Sequence, residues 1–202
     1  VTSADTRYQA IFAQDIVVNV ADNEEAGVVV QMVEGSLQVF EKVSASLEPL
    51  TRSMYAIVLT RAPEEGVLVS AVPVLPARSE VSAGAFGVAV NGKLDGVTLQ
   101  FDRTNWFIPQ FIEVTAPADG VAEGPRQILI QHSVQQGGSA EDGGLYDKIS
   151  IPTVIANVVD EDTAGVVVTV SEADPVVSES GQFAQEYVYR VVLTKEPALN
   201  AD

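Results

Sequence analysis

The chain contains an internal repeat, and this repeat limits the fold more than any other feature of the sequence. The segment YQAIFAQDIVVNVADNEEAGVVV (residues 8–30) aligns without a gap to YDKISIPTVIANVVDEDTAGVVV (residues 146–168), and ten of the 23 aligned positions are identical. Chance alone would give roughly two identities in a Val-rich chain. Further on, YAIVLTRAP from Tyr55 is similar to YRVVLTKEP from Tyr189. The first offset is 138 residues (146 − 8), which is the size of a whole domain rather than of a solenoid unit.

The phase of the repeat divides the chain into three parts. Residues 1–22 are predicted to be the closing strands of a preceding repeat, residues 23–163 one complete repeat, and residues 164–202 the opening strands of a following repeat. We expect an internal piece of a longer protein, because Val1 is followed by neither a basic region nor an apolar leader segment. Strands without partners in the two partial repeats would favour head-to-tail self-association between copies.

Alternation of apolar and polar residues with period two predicts β-strands along the chain. Tyr, Ile and Leu share one face of YAIVLT (residues 55–60), and Val, Leu and Phe share one face of VTLQF (residues 97–101). Gly and Pro recur between such segments, and no segment keeps a helical stripe over several turns. Residues 73–95 are predicted to be a long loop or an inserted hairpin. The predicted fold is all-β, an antiparallel Greek-key β-sandwich of the immunoglobulin-like type, in tandem repeats.

The charge of the chain excludes several classes of partner. Asp plus Glu number 28 against 11 Lys plus Arg, and the resulting net charge of −17 repels nucleic acid and anionic membranes. No apolar run approaches the length of a membrane span, so we expect no membrane insertion. The chain has no Cys, which excludes disulfides, thiolate metal sites and a Cys nucleophile. Divalent cations and basic partners suit such a surface.

Three conspicuous side chains have a structural interpretation that is simpler than a functional one. Trp106 could stack on a sugar, but its neighbours Phe107 and Phe111 favour packing. His132 has no second His beside it, so a structural role is predicted. Tyr146 recurs in the repeat, which packing or a strand-corner hydrogen bond explains. Because the acidic residues lie in turns rather than around a cleft, we expect no enzymatic activity.

The order of the motifs resembles Calx-beta and Calx-beta-like repeats of large bacterial surface or secreted proteins. The strand GVTLQF (residues 96–101), the turn DGVAEG (119–124) and the acidic run DED (160–162) look like successive motifs of those modules. So do Asp142 ahead of Tyr146 and the segment NWFIPQ (105–110), which is similar to bacterial versions. The early Glu of the family is matched by Glu41, and Glu179 lies 138 residues further on, where that Glu should recur. The resemblance covers most of the chain.

The resemblance implies a β-sandwich that binds Ca²⁺ at one end. The implied metal ligands come from three acidic segments and are Glu41, Asp119, Glu123, Asp160, Glu161 and Asp162. Carboxylate oxygens are the hard ligands that Ca²⁺ prefers, and an extracellular module needs a Kd of only about 10⁻⁴ to 10⁻³ M. The residues alone also fit a simpler interpretation, in which the acids cap turns and keep the protein soluble.

Together, the repeat and the resemblance predict a structural or adhesive segment of a large extracellular or cell-surface protein. Ca²⁺ between neighbouring repeats would fix the angle between them and support extension, adhesion or assembly into a surface layer or fibre. The predicted partners are neighbouring repeats of the same protein, with carbohydrate as a further candidate. Two alternatives stay open, a carbohydrate- or protein-binding module and an accessory domain of a secreted enzyme.

Overall fold

Strands dominate the structure, which is a computed structural model describing residues 4–8, 18, 20–33, 36–41, 51–75, 87–170 and 188–197. The strands are β1 (Val28–Met32), β2 (Leu37–Phe40), β3 (Arg52–Leu59), β4 (Val67–Pro73), β5 (Ala89–Val90), β6 (Val97–Phe101), β7 (Gln110–Thr115), β8 (Arg126–Gln136), β9 (Val154–Val159), β10 (Val166–Val170) and β11 (Tyr189–Leu193). A 3-10 turn covers Thr6–Tyr8, and among the described residues no helix is long and apolar enough to cross a membrane.

Nine of the described strands form two sheets that enclose one core. One sheet has the strand order β1-β3-β7-β5, and the other has the order β2-β9-β8-β4-β6. Neighbouring strands are antiparallel except β2 and β9, which run parallel with Leu37 opposite Ala156 and Phe40 opposite Val159. The prediction of an all-β antiparallel sandwich is confirmed, and the parallel pair is an addition that the sequence pattern did not indicate.

The core lies between the two sheets, and the alternation read from the sequence decides which side chains enter it. Tyr55, Ile57 and Leu59 of β3 are all buried, as are the Leu and Phe of β6 and both Ile residues of β8. Burial of an apolar side chain of this size stabilises a fold by about 1.5 to 3 kcal/mol. A register slip by one residue would expose each of these rows, so the pattern also fixes the strand register.

A short strand lies within residues 73–95, the least clear part of the sequence. Strand β5 pairs with β7 through Ala89 opposite Thr115, and residues 76–86 lie outside the described residues. A tight turn follows at Asn91 and Gly92, whose φ angles of 48° and 74° are those of a type I′ turn. Val90 and Lys93, which flank the turn, exchange two backbone hydrogen bonds of 2.9 and 3.0 Å, so the chain reverses direction here.

The topology brings three loops to one end of the sandwich. Strands β2 and β9 run parallel and end together, β7 ends beside the start of β3, and β8 begins with Arg126 opposite Val158. The Glu41 amide donates a hydrogen bond to the Val159 carbonyl at 3.0 Å. The backbone of Glu41 also forms an isolated parallel β-bridge with Ala116. We call this the acidic end, formed by Glu41, residues 119–126 and residues 160–163. The opposite end is where β1 begins.

Strands β10 and β11 form a separate hairpin directly after the acidic end. Their register repeats that of β1 and β3, because Val166 faces Leu193 as Val28 faces Leu59, and each ladder contains five residue pairs. The tandem division of the chain stays a prediction, and this shared register is consistent with it.

Candidate metal centre at the acidic end

The fold gathers five of the six predicted ligands into two overlapping groups. One group contains Glu41, Asp160 and Asp162, and the other contains Glu41, Asp119 and Glu123. Within each group, one carboxylate oxygen from every residue lies within 4.8 Å of the others. Glu161, the sixth predicted ligand, is part of neither group. Sequence positions as distant as 41 and 162 therefore converge, while their assignment as metal ligands stays a prediction.

Glu41 is the residue common to both groups, and it has no exposed surface. Its Oε1 accepts a hydrogen bond from Arg126 Nη2 at 2.9 Å, whereas its Oε2 is buried and has no hydrogen-bond partner among the described residues. Burial raises the pKa of Glu41 to about 7, even though the nearby Arg126 acts in the opposite direction. An unsatisfied buried polar atom costs about 1 to 3 kcal/mol, and more when it is charged, so this oxygen favours a proton or a cation.

Asp160 organises the DED turn that follows β9. Its side chain accepts hydrogen bonds from the Gly124 amide at 2.6 Å, from the Asp162 amide at 2.7 Å and from the Thr163 hydroxyl. Burial alone would raise the pKa of Asp160, but these hydrogen bonds outweigh it and hold the pKa below its ordinary value. Gly124 has a φ of 74°, which glycine adopts without strain. The turn is therefore fixed to the neighbouring loop around an ionised carboxylate.

The other two acids of this turn are crowded by like charges. Burial and then the charges of Asp162, Asp160 and Asp119 raise the pKa of Glu161. Glu161 Oε2 and Asp162 Oδ2 are both buried and lack a hydrogen-bond partner in the described part of the chain. This turn of the acidic end therefore contains buried carboxylate oxygens without hydrogen bonds. An acidic turn that served only for solubility would expose its carboxylates to water.

The third acidic segment is the loop between β7 and β8. Asp119 Oδ1 accepts a hydrogen bond from the Val121 amide at 2.9 Å, which fixes the turn. The side chain of Glu123 is only 3% exposed and forms an ion pair with Arg126 Nη1. Both carboxylates are held near Glu41 by this loop.

Arg126 is the member of this cluster that sequence reasoning missed. Its guanidinium bridges two carboxylates, Glu41 through Nη2 and Glu123 through Nη1, and its side chain is 13% exposed. The sequence contains a signal, because Arg126 is the one Lys or Arg between Arg103 and Lys148 and lies two residues after the DGVAEG turn. A strand that opens with an isolated Arg beside an acidic turn indicates a built-in counter-ion.

One guanidinium does not neutralise six carboxylates. Two unit charges 4.8 Å apart repel by about 3 kcal/mol at an effective dielectric constant of about 20. The two groups offer carboxylate oxygens and neither His nor Cys, which suits a hard cation with many oxygen ligands. Ca²⁺ fits this donor set better than a transition metal does.

The three conspicuous side chains outside the cluster have structural roles. Trp106 is partly buried against the core, as predicted. His132 contacts the Tyr55 hydroxyl and the Pro152 carbonyl, both at 2.9 Å. Tyr146 is fully buried, as the packing interpretation predicts. The carbohydrate partner stays a prediction.

Comparison with known proteins gives a loose likeness to solved Calx domains. No family model matches the chain, and no curated protein matches it. The apo form of the Calx CBD1 domain is 13% identical, covers 66% of this chain and 96% of its own length, and has a TM-score of 0.39. Calcium binding domain CBD12 of CALX1.1 is 12% identical, covers 83% of this chain and 70% of its own length, and has a TM-score of 0.40. Membership of the Calx-beta family stays a prediction from the sequence.

Proposed function

We propose that the chain is a Ca²⁺-binding β-sandwich module with its ions at the acidic end. The observation that carries this proposal is Glu41, which has no exposed surface, belongs to both carboxylate groups and keeps one oxygen without a hydrogen-bond partner among the described residues. A fold that buries such a group gains stability when a cation completes its coordination. Ca²⁺ supplies that cation and neutralises the neighbouring like charges.

The same ions would brace the junction between the sandwich and the β10–β11 hairpin. Lys195 Nζ donates to the Asp162 carbonyl at 3.1 Å, and the Thr194 hydroxyl donates to the Thr163 carbonyl at 2.6 Å. The turn whose side chains form the candidate metal site therefore also holds the hairpin through its backbone. Ca²⁺ bound by Asp160 and Asp162 would stiffen this turn and fix the direction in which the hairpin leaves.

A corresponding set of contacts occurs at the opposite end of the sandwich. Arg61 Nη1 donates to the Glu24 carbonyl at 3.0 Å, and the Thr60 hydroxyl donates to the Glu25 carbonyl at 2.6 Å. Arg61 and Lys195 occupy equivalent places after β3 and β11, so both acidic turns are held by a basic residue in the same way. This correspondence supports a tandem array with an ion at each junction, used as a structural or adhesive segment of a large extracellular or cell-surface protein.

A calcium titration tests the module directly. We expect a calorimetric titration of the wild-type chain with CaCl₂ to show binding, and about 100 Kd of Ca²⁺ to raise the Tm by about 5 to 10 °C over chelator. Glu41→Gln should weaken binding at least tenfold, whereas Glu64→Gln, which removes the same charge at the opposite end, should change Kd less than twofold. The absence of both heat and Tm shift in the wild type would refute the proposal.

The role of Ca²⁺ at the junction is tested by measuring the distance between a spin label on the sandwich and one on the β10–β11 hairpin. The chain has no Cys, so spin labels on Gln131→Cys in β8 and Arg190→Cys in β11 report on the sandwich and the hairpin alone. We expect Ca²⁺ to narrow the distribution of distances between the two labels. Identical distributions with Ca²⁺ and with chelator would exclude a bracing role while leaving Ca²⁺ binding untouched.

A further inference from the structure

The two carboxylate groups of the acidic end differ in one respect, which is the position of Arg126. The guanidinium lies against Glu41 and Glu123, two of the three acids in the group that also contains Asp119. No guanidinium contact to Asp160 or Asp162 occurs among the described ion pairs and hydrogen bonds. One group is therefore already filled by a cation of the chain itself, and the other retains the unpartnered Oε2 of Glu41.

Ca²⁺ and this guanidinium compete for the same oxygens. Ca²⁺ binds carboxylate oxygens at 2.3 to 2.6 Å, and Arg126 Nη2 lies 2.9 Å from Glu41 Oε1. An ion placed among Glu41, Asp119 and Glu123 would lie within a few ångströms of a second positive charge that uses the same ligands. Because Arg stays protonated at every physiological pH, the guanidinium cannot yield by losing its charge. The guanidinium can release these carboxylate oxygens to Ca²⁺ only by moving away from them.

We propose that Arg126 is an internal competitor that closes the Glu41–Asp119–Glu123 group to Ca²⁺. The wild-type chain then takes its first ion at Glu41, Asp160 and Asp162, and a second ion binds only when Arg126 swings toward solvent. The side chain of Arg126 is 13% exposed and is therefore already in contact with solvent in the closed arrangement. This inference rests on the proposed function, which it deepens by assigning the residue that sets the number of ions and their affinity.

Calorimetric titration with CaCl₂ of Arg126→Gln tests this, with Arg103→Gln as the matched control. Arg103 lies after β6 at the opposite end of the sandwich, so its replacement removes the same charge far from the site. We expect Arg126→Gln to bind one more ion than the wild type, or the same number at least tenfold more tightly. Arg103→Gln should stay within twofold of the wild type.

The remaining outcomes separate this inference from the proposed function. Equal stoichiometry and affinity in the wild type and Arg126→Gln would overturn the role of Arg126 and leave Ca²⁺ binding in place. Binding by Arg126→Gln alone would support that role and overturn Ca²⁺ binding by the natural chain. No binding by either protein would overturn both.

A measurement on the wild type covers the case in which Arg126→Gln does not fold. In chelator, the guanidinium NH signals of Arg126, assigned by their loss in Arg126→Lys, should be protected from solvent exchange. Raising CaCl₂ past the first binding step should make these signals exchange at least tenfold faster as the guanidinium leaves its two carboxylates. Signals that stay protected at saturating CaCl₂ would overturn the inference.

Discussion

Arg126 donates from Nη2 to Glu41 Oε1 at 2.9 Å, and the two side chains form an ion pair in which Glu41 is fully buried. Such a pair is weak evidence for stability, because desolvation of both charges offsets much of their attraction. Removing one partner is different, since the other charge is then left buried without compensation. The pair thus makes the stability of the ion-free state depend on both residues together.

Because Glu41 and Arg126 form an ion pair, we expect the stability losses of substitutions at these two residues to be non-additive in the presence of chelator. Arg126→Gln should lower the free energy of unfolding by about 3 to 5 kcal/mol, because it removes the hydrogen bond that the Glu41 carboxylate accepts and leaves that buried charge without its counter-ion. The double variant with Glu41→Gln should be less destabilised than the sum of the single variants by about 1 to 3 kcal/mol. Urea unfolding of the four proteins in chelator measures this coupling. Strict additivity would show that the pair contributes nothing.

Asp160 is predicted to stabilise the fold whether or not Ca²⁺ is present. Its carboxylate accepts hydrogen bonds from Gly124, Asp162 and Thr163, which join the loop before β8 to the turn after β9. Asp160→Ala should therefore lower the free energy of unfolding by about 2 to 4 kcal/mol even in chelator. Asp142→Ala, in the exposed loop before Tyr146, is the comparison and should cost about half as much or less. A loss from Asp160→Ala that appears only with Ca²⁺ would contradict this structural role.

The buried Tyr146 hydroxyl predicts a smaller and specific loss. It donates to the Arg61 carbonyl and lies 3.3 Å from the Arg61 amide, so that it closes the corner after β3. Tyr146→Phe should lower the free energy of unfolding by about 1 kcal/mol, the usual net value of one such hydrogen bond. Tyr189→Phe alters a side chain that is 63% exposed and should cost less than 0.5 kcal/mol. Equal losses for the two variants in denaturant unfolding would show that the hydrogen bond of the Tyr146 hydroxyl contributes no specific stability.

His132 predicts the acid sensitivity of the fold. Pro152 offers only a carbonyl, so Nδ1 carries the proton and Nε2 accepts from the Tyr55 hydroxyl. Burial lowers the pKa of His132 from its ordinary value of 6.5. The unfolded chain therefore binds a proton first as the pH falls, and the contribution of His132 is complete above pH 6.5 and is lost as the pH falls through the folded pKa.

Two measurements follow from the chain having a single His. A proton NMR titration should place the pKa of His132 below 6.5, and His132→Gln should show a weaker loss of stability between pH 7 and pH 5 than the wild type. A titration midpoint above 6.5 would contradict the structural assignment of this ring.

The strand faces were predictable from the sequence, whereas the strand partners were not. Alternation fixes which side of a strand enters the core, and Tyr55, Ile57 and Leu59 follow it because burial dominates the choice of face. The parallel pairing of β2 with β9 joins residues about 120 positions apart, and no local signal marks such a contact. Strand β5 escaped prediction because two residues, Ala89 and Val90, carry too little pattern.

The acidic segments of the site were also predictable, since they lie in turns that the motif order placed at one end. Their side-chain environment was not. Whether a carboxylate such as Glu161 joins a ligand group or lies beside it depends on a few ångströms of loop geometry. The contact of Arg126 with Glu41 could not be predicted from the sequence, because it depends on the register in which β8 pairs with β9.

The chain enters the sandwich through β1 at one end and leaves through β9 at the other, and this has a mechanical consequence. A pulling force applied at Gly27 and Asp160 runs nearly parallel to the strands. The ladder hydrogen bonds, which lie across the strands, are then loaded in shear and share the force, rather than opening one after another as in a zipper. Under such a load, a sandwich of this connectivity would resist extension cooperatively, and the tension would pass along the chain through the turn that carries Asp160 and Asp162.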